Sequence, residues 1–230
     1  TSSNRAAVRL LQDVGIPKAV QYAKAMGVGN VPSVPSLALG SGEVTLQSLT
    51  AAYAGFANHG DVPTPMLIRR VDDRDGNVLF KAQEQSTHAI SDTTAYLMSN
   101  MMADVINGGT GSGVRSLGFT LPAAGKTGTT NDYHDAWFVG FTPSLVAGVW
   151  VGFDQPKKLG DKETGGAGDD AADARRVGRD LGPLGRHARA VGHATAGLVL
   201  ARGSERHQAA GGVLATRSEE HTSELQSRLQ

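Results

Sequence analysis

The run Gly125-Lys126-Thr127-Gly128-Thr129-Thr130 decides how this chain is read. It stands between a small-residue approach, Pro122-Ala123-Ala124, and a strongly apolar segment from Ala136 to Phe153. On an extended strand alternate side chains share a face, so Thr127 and Thr129 lie on the same one. Gly128 between them leaves the backbone bare, and another extended chain can lie close against it. Lys126 adds a fixed positive charge. Two hydroxyls, a cation and main-chain groups on one strand suit a peptide that ends in a carboxylate.

Working outward, three strands are expected over 122–130, 136–142 and 145–153, the last two joined by a tight antiparallel turn at Pro143-Ser144. The hairpin strands are apolar at nearly every position, so both faces need cover, which the helices can supply. Upstream, Ser3 or Asn4 caps a helix over 5–14, with Ala7, Leu11 and Val14 on one face and Gly15 as its stop. Pro17 starts a second short helix ending at Gly27, and 30–42 is an ordered loop. Thr45 caps a helix to 58 with Leu46, Leu49, Tyr53 and Phe56 at core spacing. A small hairpin turns at Asp73-Arg74-Asp75-Gly76, and a helix over 92–106 carries Leu97, Met101 and Val105 inward. Gly108-Gly109-Thr110-Gly111 then releases the chain into a loop. Helices packed on an antiparallel sheet make an α/β (α+β) sandwich.

Composition narrows the function classes. The 230 residues suffice for one substantial domain with appendages. Lys plus Arg equals Asp plus Glu at 22 each, so net charge gives no reason to propose nucleic acid as a partner. With no cysteine, disulfides and thiolate metal sites are excluded, and no metal or cofactor is called for by any cluster in the sequence. No apolar run approaches the roughly 20 residues of a membrane helix. Thr1 is not an initiator Met, so an N-terminal segment is expected to be missing.

The composition also breaks along the chain. Every aromatic residue lies at or before Phe153, and no Lys follows Lys162, although nine Arg do. Residues 1–166 are therefore taken as domain material. Residues 167–216 read as a low-complexity segment, either disordered or the out-of-frame translation of GC-rich coding DNA. Residues 217–230 resemble a translated sequencing-library adapter and are kept out of fold reasoning.

Within 1–166 the resemblance is to the C-terminal half of the transpeptidase domain of class A penicillin-binding proteins, within the penicillin-recognising serine enzymes. It rests on 34–60 and above all on 123–154, where the run Gly125 to Asp132 continued by Asp135-Ala136-Trp137-Phe138-Val139-Gly140 is highly specific. The family has three motifs: Ser-x-x-Lys, Ser-x-Asn and Lys-Thr-Gly. Lys126, Thr127 and Gly128 match the third, and Ser2 and Asn4 match the second. No Ser in this chain has Lys three positions on, so the resemblance implies a nucleophile upstream of Thr1.

The resemblance further implies a penicillin-binding-protein/β-lactamase-like fold, incomplete here, and serine acyl-enzyme chemistry on stem peptides ending in D-Ala-D-Ala. The implied catalytic residues are Ser2 as proton relay, Lys126 as its electrostatic partner and Thr129 through its N–H. The implied substrate-binding residues are Asn4, Thr127, Gly128, Thr129 and Thr130. β-Lactams would bind the same place, no cofactor or metal is implied, and the longer protein would be membrane-anchored at the extracytoplasmic face. Without Ser-x-x-Lys this chain is expected to be inactive by itself. Two alternatives stay open: a non-catalytic peptide or β-lactam-binding module, and a hydrolase of the D,D-carboxypeptidase or β-lactamase type. Beside these stand plainer readings: Ser2 and Asn4 as helix caps, Asp132 and Asp135 as turn residues, His134 as a rim residue, Met98, Met101 and Met102 as helix packing, and Trp137 and Trp150 as hairpin core.

Overall fold

The computed structural model describes residues 2–130, 134–153, 155 and 157–159, with the backbone alone of 195–202 and 213–216. The rest of the segments set apart above, with Asn131 and Asp132 of the motif, lie outside the described residues.

Helices α1 (Asn4–Val14) and α2 (Ile16–Ala25) are separated by Gly15, whose φ of 89° a side chain would resist. Ser3 is the cap, its hydroxyl accepting from the Ala6 N–H at 3.4 Å. Leu11 is buried as expected, but Val14 is 47% exposed, because α1 rests on α2 and on the 3-10 turn Pro35–Leu39 through a narrow stripe. Helix α3 (Leu46–Ala57) begins where Thr45 accepts from the Ser48 N–H at 3.0 Å. Its small residues Ala51, Ala52, Ala54 and Gly55 are buried, which lets it sit close against the sheet and against β1.

Two short strand pairs follow. β1 (Asp61–Pro63) pairs with β4 (Ser86–His88), a contact between distant segments that the sequence reading missed. β2 (Arg70–Asp72) pairs with β3 (Val78–Lys81) as the expected hairpin. The Asp73 carboxylate closes its turn by accepting from the N–H groups of Asp75 and Asn77 and from Asn77 Nδ2. These bonds favour the charged form and hold the Asp73 carboxyl below its usual range.

Helix α4 (Asp92–Asn107), capped by Ser91, corrects one expectation. Its buried stripe is Ala95, Met102 and Ile106, whereas Leu97 and Met101 are 55% and 59% exposed. Both stripes have helical spacing, so periodicity could not choose between them; contact with α3 and β5 does. A one-turn helix α5 (Gly113–Ser116) interrupts the loop that follows.

The main sheet is antiparallel, in the order β5 (Ala124–Thr129), β6 (Ala136–Phe141), β7 (Leu145–Gly152), β8 (Thr195–Arg202), β9 (Val213–Thr216). The first three strands fall where the alternation and turn residues put them. β8 and β9 come from the segment that composition had set apart, and β8 runs along the whole of β7, from Leu145 opposite Arg202 to Gly152 opposite Thr195. Strand β5 is left at one edge. One face of the sheet carries Ala124, Val139, Phe141 and Val146, which pack with Ala54 and Met102 into the central core. On the other face Ala136 and Val151 pack with Val149, Phe153 and Leu159. Both faces of the hairpin are covered at Val139 and Val151, which are 2% and 9% exposed.

Candidate active site

The site is built on β5, which brings polar side chains to an edge of the main sheet. Cross-strand pairing sets its two faces. Lys126 lies opposite Val139 and so on the face that α3 and α4 cover. Thr127 lies opposite Phe138, and Thr129 opposite Ala136, on the reverse face. The cation and the hydroxyls thus leave the strand on opposite sides. They meet again at the edge, because Lys126 Nζ curls round to donate to the Thr127 carbonyl at 2.8 Å. Partial burial of the ammonium holds its pKa below the ordinary lysine value.

The backbone points outward in a defined pattern. The Thr130 N–H donates to the Asp135 carbonyl at 3.0 Å, so the backbone of Thr130 faces β6. In an antiparallel ladder the backbone groups of successive residues alternate in direction, so the N–H and C=O groups of Thr127 and Thr129 point away from β6. Gly128 sits tight against Trp137: an added Cβ would come 3.2 Å from the Trp137 Cβ. Its bareness therefore serves packing inside the sheet as well as approach from outside.

Thr130 has a job of its own. Its hydroxyl accepts from the Asp135 N–H at 2.8 Å, and Asp135 Oδ1 accepts from the Trp150 indole N–H at 3.0 Å. This chain of bonds links the end of β5 to Asp135 and to Trp150, whose ring lies tilted against that of Trp137 with centroids 6.3 Å apart. Asp135 directly precedes β6 and joins Thr130 to Trp150, and the two tryptophans are half-buried hairpin residues.

Ser2 and Asn4 belong to a different element, the start of α1. Both are exposed, Ser2 before the cap and Asn4 as the first residue of α1. They are placed by the packing of α1 on α2 and on the 3-10 turn, whereas β5 is placed by β6 and α4. The five residues 126–130 are brought together by sequence continuity, and the placement of Ser2 and Asn4 depends on a different part of the fold.

Two residues at the site were missed in the sequence. Thr110, in the loop after α4, puts its hydroxyl 2.7 Å from that of Thr127. Arg115 braces the segment leading into β5. Its Nη1 donates to the carbonyls of Phe119 and Leu121, each at 2.8 Å, while Nε and Nη2 donate to Asn107 Oδ1 at 3.1 and 2.9 Å. The signal available was a Thr embedded in glycines shortly before an extended Lys-Thr-Gly, followed by a lone Arg. Among the described residues no His, Asp and Glu group is arranged to hold a metal ion, and no helix is long and apolar enough to cross a membrane.

Comparison with known proteins gives these features a context. Residues 1–173 match the family described as the penicillin binding protein transpeptidase domain. Penicillin-binding protein 1A of Neisseria gonorrhoeae is 41% identical over 172 residues, covering 72% of this chain and 21% of the relative. The protein of that name from Aquifex aeolicus is 41% identical over 164 residues, covering 71% of this chain and 22% of the relative. The fold matches the crystal structure of penicillin-binding protein 1A from Haemophilus influenzae with a TM-score of 0.71, at 21% identity, over 95% of this chain and 40% of that one. PonA1 of Mycobacterium tuberculosis matches with a TM-score of 0.64, at 23% identity, over 79% of this chain and 55% of that one. The α/β sandwich is thus of the penicillin-binding-protein type, and the chain spans about a fifth of the length of the curated relatives it matches.

Proposed function

The chain belongs to the penicillin-binding protein transpeptidase domain family, and from that premise we propose that it is the Lys-Thr-Gly half of a serine D,D-transpeptidase that cross-links peptidoglycan stem peptides and binds β-lactams. The observation that carries the reading is the polar edge strand: β5 ends the sheet and turns the backbone of Thr127 and Thr129 outward beside a half-buried ammonium. An extended peptide adds to such an edge through main-chain bonds, and alternate side chains give the specificity.

In this reading a serine from a Ser-x-x-Lys segment upstream attacks the carbonyl between the two terminal D-alanines. The C–N bond breaks, an ester to the serine forms, and the leaving nitrogen takes a proton through Ser2. Lys126 assists, since a neighbouring cation favours release of that proton. An amine of a second stem peptide then displaces the serine and returns its proton. The Thr129 N–H serves as one oxyanion donor; removal of such a donor costs about 2.7–4 kcal/mol in a comparable acyl-transfer enzyme. Asn4 holds the substrate's side-chain amide, and Thr127 with Thr130 lines the carboxylate end. Such a protein would work at the extracytoplasmic face of the membrane, held by an anchor outside this chain.

The second reading is a non-catalytic binding module, and the segment upstream of this chain discriminates it from the first. A folded upstream extension that lacks Ser-x-x-Lys would suit a module that binds peptide or β-lactam without acylation. A D,D-carboxypeptidase or β-lactamase remains the hydrolytic variant of the first reading.

Labelling with a fluorescent penicillin tests these readings, using this chain and a version extended upstream. Covalent labelling of the extended version alone supports the transpeptidase reading. Failure of a folded extended version to label would leave the binding module. Labelling of this chain alone would mean that the nucleophile lies within it, to be located by mass spectrometry.

A further inference from the structure

The loop between α4 and β5 meets the Lys-Thr-Gly strand at Thr110 and Thr127, whose hydroxyl oxygens are 2.7 Å apart. The loop is not loosely placed. A Cβ on Gly109 would come 2.8 Å from the Val105 Cα, and one on Gly111 would come 3.1 Å from Ile106 Cδ1, so both glycines lie flat against the last turn of α4. Arg115 ties Asn107, at the end of that helix, to the Phe119 and Leu121 carbonyls just before β5. The loop is therefore held at both ends and along its back, with the Thr110 hydroxyl as the group it presents to the strand.

We infer that Thr110 is a positioning residue that orients the Thr127 hydroxyl for a ligand carboxylate. This rests on the reading of Thr127 as a carboxylate-binding group. A hydroxyl carries one proton and can accept as well as donate, whereas an ionised carboxylate only accepts. When the Thr127 hydroxyl donates to a carboxylate, its contact with Thr110 has one direction left: Thr110 donates and Thr127 accepts. The bonds then run in series from Thr110 through Thr127 to the anion, and each polarises the next. Thr127 is gripped a second time, since its carbonyl accepts from Lys126 Nζ at 2.8 Å. The loop thus sets the hydroxyl's direction and the lysine holds its backbone.

The test compares acylation by benzylpenicillin with acylation by its methyl ester, in a protein that carries this chain together with an upstream Ser-x-x-Lys. The free acid offers the anion and the ester does not, so the ratio of the two second-order rates reports recognition of the carboxylate. Thr110→Val keeps the shape and removes the hydroxyl. The ratio is expected to fall about three- to tenfold, as for loss of one hydrogen bond, while Thr110→Ser restores it. Thermal unfolding is followed in parallel, and Thr110→Ala serves if the valine variant does not fold. A ratio unchanged in Thr110→Val and Thr110→Ala, but lowered in Thr127→Val, overturns the role of Thr110 and leaves the reading of Thr127 standing. A ratio unchanged in Thr127→Val as well overturns both.

Discussion

The Thr110 and Thr127 hydroxyls lie 2.7 Å apart although 17 positions separate them in sequence, and they join the loop behind α4 to the edge strand. That juxtaposition depends on Gly109, since an added Cβ would meet the Val105 Cα at 2.8 Å and the Asp104 carbonyl at 3.1 Å. Backbone atoms of a helix cannot step aside as a flexible side chain can. Gly109→Ala is expected to destabilise the protein by about 1–3 kcal/mol, in line with overpacking elsewhere. Urea unfolding measures this, and an unchanged midpoint would mean that the loop is not braced by the helix.

A second close approach lies in the core. A Cβ on Gly148 of β7 would run into the Thr50 hydroxyl and come 3.2 Å from Leu46 Cδ1. Thr50 is fully buried, and its hydroxyl donates to the Leu46 carbonyl at 2.7 Å. Gly148→Ala should therefore cost about 1–3 kcal/mol or more by forcing α3 off the sheet. Thr50→Ala makes room, so the double variant should recover part of that loss, with a coupling of about 0.5–3 kcal/mol. Strict additivity of the two changes in a double-mutant cycle would refute the contact.

Asp135→Ala leaves the Trp150 indole N–H without its acceptor inside a half-buried hairpin. The expected cost is about 1–3 kcal/mol, with a change in tryptophan emission. Asp135→Asn keeps an acceptor oxygen and should lose clearly less. Equal stability of the alanine and asparagine variants by thermal unfolding would show that the bond contributes nothing.

Two groups titrate in opposite senses in alkali. Lys126 releases its proton more readily in the folded protein than at its ordinary 10.5, because its ammonium is partly desolvated. The unfolded chain then holds more protons just below 10.5, so stability rises as pH climbs through that window, and the destabilisation is full below it. Lys126→Met is expected to be more stable than the parent at neutral pH, with the gap closing towards pH 10.5. Tyr53 runs the other way: burial pushes its phenol from 10.0 up to about 12. Its contribution is whole below 10.0 and is lost as pH rises towards about 12, so Tyr53→Phe should flatten that decline. Denaturant midpoints of the three proteins between pH 7 and 12 check both signs.

Much of this could be read locally. The turn at Pro143-Ser144, the alternation on either side of it and the small residues before Lys126 mark β5, β6 and β7 nearly to the residue. Thr45 and Ser91 mark the starts of α3 and α4, since a capping hydroxyl answers to backbone N–H groups three positions away. The family itself was legible because Gly125 to Thr130 and Asp135 to Gly140 carry their pattern in consecutive residues. What depended on distant partners was not legible. Leu97 and Met101 have the same helical spacing as Met102 and Ile106, and only the positions of α3 and β5 decide which stripe is buried. The pairing of β1 with β4, the addition of β8 and β9 to the sheet, and the meeting of Thr110 with Thr127 likewise required the chain to close on itself. Sequence alone determined helices α1 to α4, strands β2, β3 and β5 to β7, and where the Lys-Thr-Gly chemistry lies, because those follow from neighbours within one turn or one hairpin. The tertiary structure decided which faces are buried, that β5 is an edge, and that Thr127 has a hydroxyl partner, because each is a contact between segments whose separation along the chain encodes no geometry.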